Sequence, residues 1–159
     1  MKENSALPRL RGRIRNLVMG WRCALLRGVW GMDIGCDAKI SWSAKLDKTN
    51  PRGIHIGDYT GIAFGTAVLA HDFLKNRHVH THIGARCHIG AMCIIYPGVT
   101  IGDGCIVAAG SVVTRDLPAG SLATGNPARV IEKDIVTGKW GIRIDKIDPD
   151  RLDKTLMVG

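Results

Sequence analysis

Aliphatic residues recur along this chain with a period of six. Ile, Leu or Val occupies every sixth position within three runs, and the runs slip relative to one another at two places. The runs are 34, 40 and 46; 56, 62 and 68; and 83, 89, 95, 101, 107 and 113. Six residues fit neither the 3.6-residue turn of an α-helix nor simple alternation along a strand. The pattern predicts short strands, each with one inward aliphatic residue and each followed by a corner.

Glycine marks many of the predicted corners, where it relaxes the backbone. It directly follows the inward aliphatic residue at positions 35, 57, 84, 90 and 102. Three strands and three corners close a triangular coil, and successive coils stack at about the 4.8 Å strand spacing. The sequence therefore predicts an all-β solenoid, a parallel β-helix of about four coils. The coils cover residues 34–51, 56–73, 83–100 and 101–118.

The six-residue period slips between Leu46 and Ile56 and again between Val68 and Ile83. At the second slip the spacing is not a multiple of six, so the chain leaves the solenoid and returns to it. We call residues 70–82 the excursion loop; it contains four of the six histidines. Insertions in repeat proteins map to loops on one face, often the binding face. The excursion loop is therefore the first place to look for a functional site.

The two ends of the chain lack the period, which divides it into residues 1–30, the solenoid at 31–131 and a charged tail at 132–159. Arginines alternate with apolar residues at helical spacing over residues 6–27, which predicts a basic amphipathic helix. The helix either caps the open end of the solenoid or contacts anionic lipid or an acidic polymer. The tail either packs on a neighbouring subunit or is disordered. The predicted apolar face consists of Leu7, Leu10, Ile14, Leu17, Val18, Trp21 and Leu25.

Composition and charge restrict the kinds of partner and the cellular compartment that this chain fits. The chain has 159 residues and a formal net charge of +8, which favours an anionic partner: a phosphate-bearing cofactor, an acidic glycan, a nucleic acid or an anionic membrane. Charge alone does not choose among these. We find no apolar stretch long enough to span a membrane and no secretory signal. Five cysteines, an odd number, then fit the reducing cytoplasm better than a disulfide framework.

Two segments resemble the hexapeptide-repeat acyltransferases, the family of galactoside, maltose and polysaccharide O-acetyltransferases. Residues 83–114 follow the family's succession of Ile-Gly pairs, and residues 124–131, Thr-Gly-Asn-Pro-Ala-Arg-Val-Ile, resemble its closing motif. The resemblance covers residues 34–131 and implies a left-handed coil, a homotrimer and acetyl-CoA as co-substrate. It implies a sugar, sugar-nucleotide or polysaccharide hydroxyl as acceptor, with an amine still possible, and no nucleic-acid partner. The basic helix would allow peripheral contact with the inner face of the membrane.

The resemblance also implies roles for residues at the root of the excursion loop. A histidine at this place takes the proton from the acceptor hydroxyl in the family, and here that place belongs to His71. An imidazole is suited to this work because it exchanges protons near neutral pH. The neighbouring Asp72 is a candidate to orient the ring. Four further residues are candidates for contact with the acceptor: Asp47, Asn50, His78 and His88.

CoA in this family lies along a groove between two subunits. Carried over, its pantetheine arm passes Gly90-Ala91 and Ala108-Ala109, where small side chains allow a close approach. Its nucleotide end meets Thr114, Arg115 and Arg129, and a guanidinium group can bind phosphate through two parallel hydrogen bonds. The alternative interpretation is that small residues serve tight coils and that the arginines are ordinary surface charge.

His78, His80 and His82 alternate, which would put their rings on one side of an extended segment and suggests zinc. The γ-class carbonic anhydrases, a related β-helix family, bind a metal through three histidines, but their spacing fits this chain imperfectly. A metal-dependent lyase is therefore one alternative function, and a non-catalytic trimeric scaffold is another. Our prediction is acetyl transfer without a metal.

Overall fold

A long helix precedes a stack of very short strands. The structure, a computed structural model, describes residues 6–147. Helix α1 spans Ala6–Gly28, and most of the strands that follow are two residues long. Short 3-10 turns lie at Pro51–Gly53 and Lys139–Gly141. Two-residue strands are not stable as isolated pairs, so they depend on stacking into larger sheets.

Three parallel sheets form the sides of the solenoid, and each takes one strand from each successive turn of the chain. The first sheet contains β1 (Asp33–Ile34), β4 (Ile54–Ile56), β9 (Thr81–Ile83) and β12 (Thr100–Ile101). The second contains β2 (Lys39–Ile40), β5 (Gly61–Ile62), β10 (His88–Ile89), β13 (Ile106–Val107) and β15 (Leu122–Gly125). The third contains β3 (Lys45–Leu46), β6 (Ala67–Val68), β11 (Ile94–Ile95) and β14 (Val112–Val113).

Two antiparallel pairings complete the strand set. In the excursion loop, β7 (His71–Asp72) pairs with β8 (Arg77–His78), and β16 (Ala128–Glu132) folds back on β15. The sheets meet at three corners. We call the junction of the first and second sheets corner one, that of the second and third sheets corner two, and that of the third and first sheets corner three. The excursion loop leaves and rejoins the solenoid at corner three.

The core consists of the inward aliphatic residues, stacked coil on coil. All twelve positions predicted from the six-residue period are buried. Within the first sheet the register pairs Ile34 with Ile56, Ile56 with Ile83, and Ile83 with Ile101. The aliphatic side chains therefore form columns, and the small side chains between them, such as Cys87 and Cys105, are buried as filler.

The corner glycines serve a different purpose from the one predicted. A Cβ at Gly90 would lie 2.5 Å from the backbone nitrogen of Ala109, and a Cβ at Gly57 would lie 2.5 Å from that of Ala85. These glycines are needed because the next coil approaches too closely for a side chain. The left-handed backbone falls instead on the third residue after the inward aliphatic, as at Arg86.

Helix α1 docks on the first coil through a polar face rather than through its predicted apolar face. Arg22 donates hydrogen bonds to the carbonyls of Ser41 and Ala44, and Arg27 donates to those of Ile34 and Gly35. Cys23 and Leu26 are the helix residues buried against the solenoid. Carbonyls on the outer side of the first coil have no further coil to pair with, so the guanidinium groups satisfy them. On the predicted apolar face, the described side chains that are exposed are Ile14, Leu17, Val18, Trp21 and Leu25.

No helix within residues 6–147 is both long enough and apolar enough to cross a membrane. Leu7 and Leu10 belong to the predicted apolar face and lie in α1, but the structure does not describe their side chains.

The described part of the tail, up to residue 147, packs on its own solenoid, which the sequence analysis did not predict. It runs down corner one from the last coil to the first. The Ile135 N–H donates to Gly120, Thr137 donates to Arg86, and Trp140 donates through its backbone to Tyr59 and through its indole to Asp37. The tail thus covers one corner of the prism.

Truncating one inward residue should test the stacked core. We expect Ile95→Ala to lower the free energy of unfolding by about 2–5 kcal/mol, because Ile95 is fully buried and leaves a cavity. Its neighbour Ile94 is 38% exposed, so Ile94→Ala should cost less than about 1 kcal/mol. Urea denaturation at one fixed protein concentration measures both. Equal losses in the two variants would contradict the assignment of the inward face.

Candidate active site

The root of the excursion loop is closed by a clamp of backbone and side-chain hydrogen bonds. The Val79 N–H donates to the Ala70 carbonyl at 2.9 Å, joining the outgoing and returning limbs. The Asn50 side-chain amide donates to the carbonyls of both Ala70 and Val79, each at 2.9 Å. Gly53 is required beside it, because a Cβ there would lie 2.4 Å from both the Asn50 Nδ2 and the Val79 oxygen. Asn50 therefore holds the two limbs together.

Asp47 is the central group of this corner. Its side chain is only 3% exposed, and it follows β3 in the first coil, directly below the root of the excursion loop. Its Oδ2 accepts hydrogen bonds from the backbone N–H groups of Ala70 and His71, each at 2.9 Å, and lies 2.5 Å from Nδ1 of the His71 ring. Its Oδ1 accepts from the Thr49 N–H at 2.9 Å. The buried carboxylate is thus surrounded by donors.

These donors keep Asp47 ionised. Burial by itself would raise the pKa of this carboxyl, but the hydrogen bonds from Ala70, the His71 ring, Thr49 and the His71 backbone outweigh it and lower the pKa to about 2. An ionised carboxylate can only accept hydrogen bonds, so Nδ1 of His71 must carry the proton that it shares with Asp47. Neutral His71 then has a lone pair on Nε2. The ring is 30% exposed, which leaves it open to a substrate.

The contact predicted for Asp72 belongs to Asp47 instead. Asp72 lies in β7, where its Oδ1 accepts from the Lys75 N–H at 3.1 Å. Its Oδ2 lies 4.0 Å from the Lys75 ammonium and 3.7 Å from the Arg77 Nε. These contacts shape the hairpin. The correction has a simple physical origin: neighbours along an extended strand point to opposite faces, whereas residues one coil apart lie against each other.

Of the four residues predicted to contact the acceptor, Asp47 and Asn50 bind the protein itself at the loop root. His78 lies directly across the hairpin from His71 and is exposed, so it borders the candidate site. His88 does not. It lies in β10 of the second sheet, where the tail covers it so closely that a Cβ at Gly141 would lie 2.4 Å from the His88 Cβ.

The residues predicted to bind CoA lie on two different corners. Gly90-Ala91 and Ala108-Ala109 follow β10 and β13, which puts them at corner two. His71 follows β6 and Thr114 follows β14, which puts both at corner three. One copy of the chain therefore does not bring the two small-residue pairs together with His71. Gly90 is in any case required by coil stacking.

Two arginines were predicted to meet the nucleotide end of CoA. Arg115 is exposed beside Thr114 at corner three, the corner of His71. Arg129 is exposed on β16, where its guanidinium donates to the Ala128 carbonyl at 3.2 Å. Both side chains are exposed, so an anionic ligand can reach them.

The three alternating histidines do not share one face. His78 belongs to the hairpin, while His80 and His82 stack with His55, a residue that the sequence analysis missed. Burial lowers the pKa of His82, and the nearby rings of His55 and His80 lower it further. A signal for His55 was present: it precedes the inward Ile56, just as His82 precedes the inward Ile83.

The pKa of Asp47 predicts a pH-dependent stability. Because the pKa is lower in the folded chain than the ordinary 3.8, the carboxylate contributes stability above about pH 4 and loses it as the pH falls through 2. We expect wild type to exceed Asp47→Asn by about 2 kcal/mol in the free energy of unfolding at neutral pH. The difference should shrink between about pH 4 and pH 2, as measured by urea denaturation. Asp72→Asn is the control and should cost less than about 1 kcal/mol at neutral pH; a difference for Asp47→Asn that is constant with pH would contradict the assignment.

Comparison with known proteins places the chain among acetyltransferases. A family model described as the hexapeptide repeat of succinyl-transferase matches residues 80–115. YvoF of Bacillus subtilis (strain 168), provisionally named an acetyltransferase, is 36% identical over 115 residues, which cover 71% of this chain and 67% of YvoF. WcaF of Escherichia coli (strain K12), provisionally named a colanic acid biosynthesis acetyltransferase, is 32% identical over 143 residues, which cover 74% of this chain and 77% of WcaF.

A solved structure extends the likeness to the fold. The crystal structure of a maltose O-acetyltransferase from Clostridium difficile 630 superposes with a TM-score of 0.55 and 29% identity, covering 70% of this chain and 74% of that one. The six-residue period, the parallel stacked sheets and these relatives all indicate the same family. The chain belongs to the hexapeptide-repeat acetyltransferase family and is an acyltransferase enzyme.

Proposed function

We propose that this enzyme transfers the acetyl group of acetyl-CoA to a hydroxyl of a sugar, a sugar nucleotide or a polysaccharide precursor, with His71 as general base. The observation that carries the proposal is the 2.5 Å contact between the buried Asp47 carboxylate and Nδ1 of His71. It leaves Nε2 as the free basic nitrogen at an accessible corner. The maltose and colanic acid acetyltransferases among the relatives support a carbohydrate acceptor.

The proton balance of this reaction uses both ring nitrogens of His71. Nε2 accepts the proton of the acceptor hydroxyl while the oxygen of that hydroxyl attacks the thioester carbonyl. The ring is then positively charged, and the Asp47 carboxylate at Nδ1 stabilises it. Collapse of the tetrahedral intermediate breaks the carbon–sulfur bond, and the departing thiolate takes the proton back from Nε2. The products are the acetyl ester and free CoA, and His71 returns to its neutral form. Asp47 acts through His71 and is a positioning residue.

Membership of an acetyltransferase family favours this reaction over the metal-dependent lyase and the non-catalytic scaffold. We further propose about four coils, left-handed winding, a cytoplasmic location and an amine as an alternative acceptor. We also propose that residues 6–27 contact an anionic membrane. Ile14, Leu17 and Val18 are exposed on this basic helix, and this combination of apolar and basic residues supports that contact.

We also propose that the active enzyme is a homotrimer whose catalytic sites form between copies. His71, at corner three, and Ala108-Ala109, at corner two, lie at opposite edges of the third sheet. A neighbouring copy that presents its corner two to corner three of the first would bring the thioester to Nε2. A ring of such contacts is a heterologous assembly that closes by rotation.

Replacing the base is the direct test. We expect His71→Ala to lower kcat for acceptor-dependent release of the CoA thiol by about 10²–10⁴-fold, because the hydroxyl loses its proton acceptor. CoA binding, measured by calorimetry, should be unchanged. Asp47→Asn should also lower kcat, because an amide can donate to Nδ1 and favour the wrong ring tautomer.

The matched control is His88→Gln, which removes an imidazole from another sheet and should retain most activity. Full activity of His71→Ala would remove His71 as the base. Absence of CoA binding in the wild-type protein would overturn acetyl transfer from CoA altogether.

Mixed assembly tests the site between copies. Ala109→Trp should abolish activity, because the exposed small side chain at corner two becomes bulky. Co-expression of His71→Ala with Ala109→Trp should restore activity at about a quarter of the sites, since random association unites one intact corner three with one intact corner two that often. Mixing the two proteins after separate assembly is the control and should give none. No restoration in co-purified mixed oligomers would show that each site lies within one copy.

A further inference from the structure

Three imidazole rings gather on the outer face of the first sheet. His55 in β4 pairs directly with His82 in β9, and their ring centroids lie 4.3 Å apart with planes 9° from parallel. His80 lies just before β9, and its ring centroid is 5.0 Å from that of His55. One nitrogen of each ring lies within 4.8 Å of the others. The solenoid and the returning limb of the excursion loop both contribute to the cluster.

An aspartate orients the central ring. Asp33 in β1 pairs with His55, and its Oδ2 lies 3.0 Å from the His55 Nδ1. An ionised carboxylate accepts hydrogen bonds only, so Nδ1 donates to it and Nε2 of His55 carries a lone pair. Metal-binding histidines characteristically donate their second ring N–H to a carboxylate in this way. Asp33 thus gives His55 the tautomer of a metal ligand.

The lone pair of His55 is directed at another ring nitrogen. Its Nε2 lies 2.7 Å from Nδ1 of His80, so one proton must lie between them, and it resides on His80. A cation can replace this proton between the two nitrogens, while His80 carries its ring proton on Nε2 instead. The exchange moves a proton within one ring and changes no net charge on the protein.

We propose that His55, His80 and His82 bind a divalent transition-metal ion, with Zn²⁺ as the representative case. Imidazole suits zinc, copper and nickel, whereas magnesium and calcium require oxygen ligands. Tetrahedral Zn–N bonds of about 2.0–2.1 Å place the ligand nitrogens ~3.3 Å apart. The exposed His80 therefore moves slightly away from the His55 Nε2, and the exposed His82 turns toward it. Three protein ligands leave a fourth position for water. This site departs from our expectation that the chain needs no metal.

The metal would tie the excursion loop to the solenoid. His80 follows Val79, the residue that the Asn50 clamp holds, and His78 just before it faces His71 across the hairpin. A metal ion that joins His80 to His55 and His82 therefore adds a second clamp to the returning limb. The limb that borders the candidate base becomes stiffer when the ion is bound.

Zinc binding to the full-length chain tests the site. The protein carries no histidine tag, is stripped with a chelator, and is titrated with Zn²⁺ by calorimetry and by equilibrium dialysis with elemental analysis. We expect one Zn²⁺ per chain. Asp33→Asn should weaken the affinity by about 10–100-fold, the usual effect of losing the carboxylate behind a metal-bound histidine. His55→Ala and His82→Ala should weaken it at least as much.

His78→Ala is the matched control, since it removes an exposed imidazole from the same limb outside the cluster, and it should bind Zn²⁺ like wild type. Circular dichroism verifies that each variant is folded. If His55→Ala and Asp33→Asn are folded and bind Zn²⁺ as tightly as wild type, or if His78→Ala weakens binding equally, the assigned site is wrong.

Trypsin reports on the proposed clamp. Lys75 and Arg77 are exposed in the excursion loop, so cleavage after them measures how often the loop opens. Zn²⁺ should slow this cleavage in wild type and in His78→Ala but not in His55→Ala. Stoichiometric binding with unchanged cleavage would overturn the clamp.

Discussion

Coil-on-coil stacking is the constraint on which the rest of this structure depends. Each inner strand is held by hydrogen bonds to the coils above and below it, and the inward aliphatic residues form continuous columns. The coils approach so closely that a side chain at Gly57 or Gly90 would collide with the next turn. Stacking at this distance makes vertical neighbours of residues that are far apart in sequence. Both proposed sites, at His71 and at His55, are built from such neighbours.

The corner of His71 follows directly from this geometry. Asp47 belongs to the first coil and His71 to the excursion from the second, yet their contact is 2.5 Å because one coil lies directly on the other. Burying the carboxylate would be costly if its oxygens were not satisfied. Four donors satisfy them, two of which are backbone N–H groups at the loop root. The same bonds that keep Asp47 ionised therefore fix where the loop leaves the solenoid.

Much of this was predictable from the sequence, because the six-residue period is a property of single positions. Burial of the inward residues and the break at 70–82 follow from it, whereas the choice of His71 within that break came from the resemblance to the hexapeptide-repeat acyltransferases. The partners of His71 and His82 were harder to predict, because each depends on register across a slip. His55 and His82 are 27 residues apart rather than a multiple of 18, and the register across that slip appears only in the structure.

Helix α1 shows the limit of reasoning from apolarity. Its hydrophobic pattern correctly predicted a helix, and the helix caps the first coil, but the residues that dock are not those of its apolar face. The first coil presents carbonyl groups that no further coil can satisfy, and an arginine that donates to two of them satisfies them together. Leaving such a group without a partner costs about 1–3 kcal/mol, and each of the two arginines satisfies two of them. The end of a solenoid thus selects donors for its cap, and the apolar stripe of the helix is left facing outward. The same need for partners explains why Asn50 holds the loop root: at the first coil and at this break, a polar side chain replaces the missing coil.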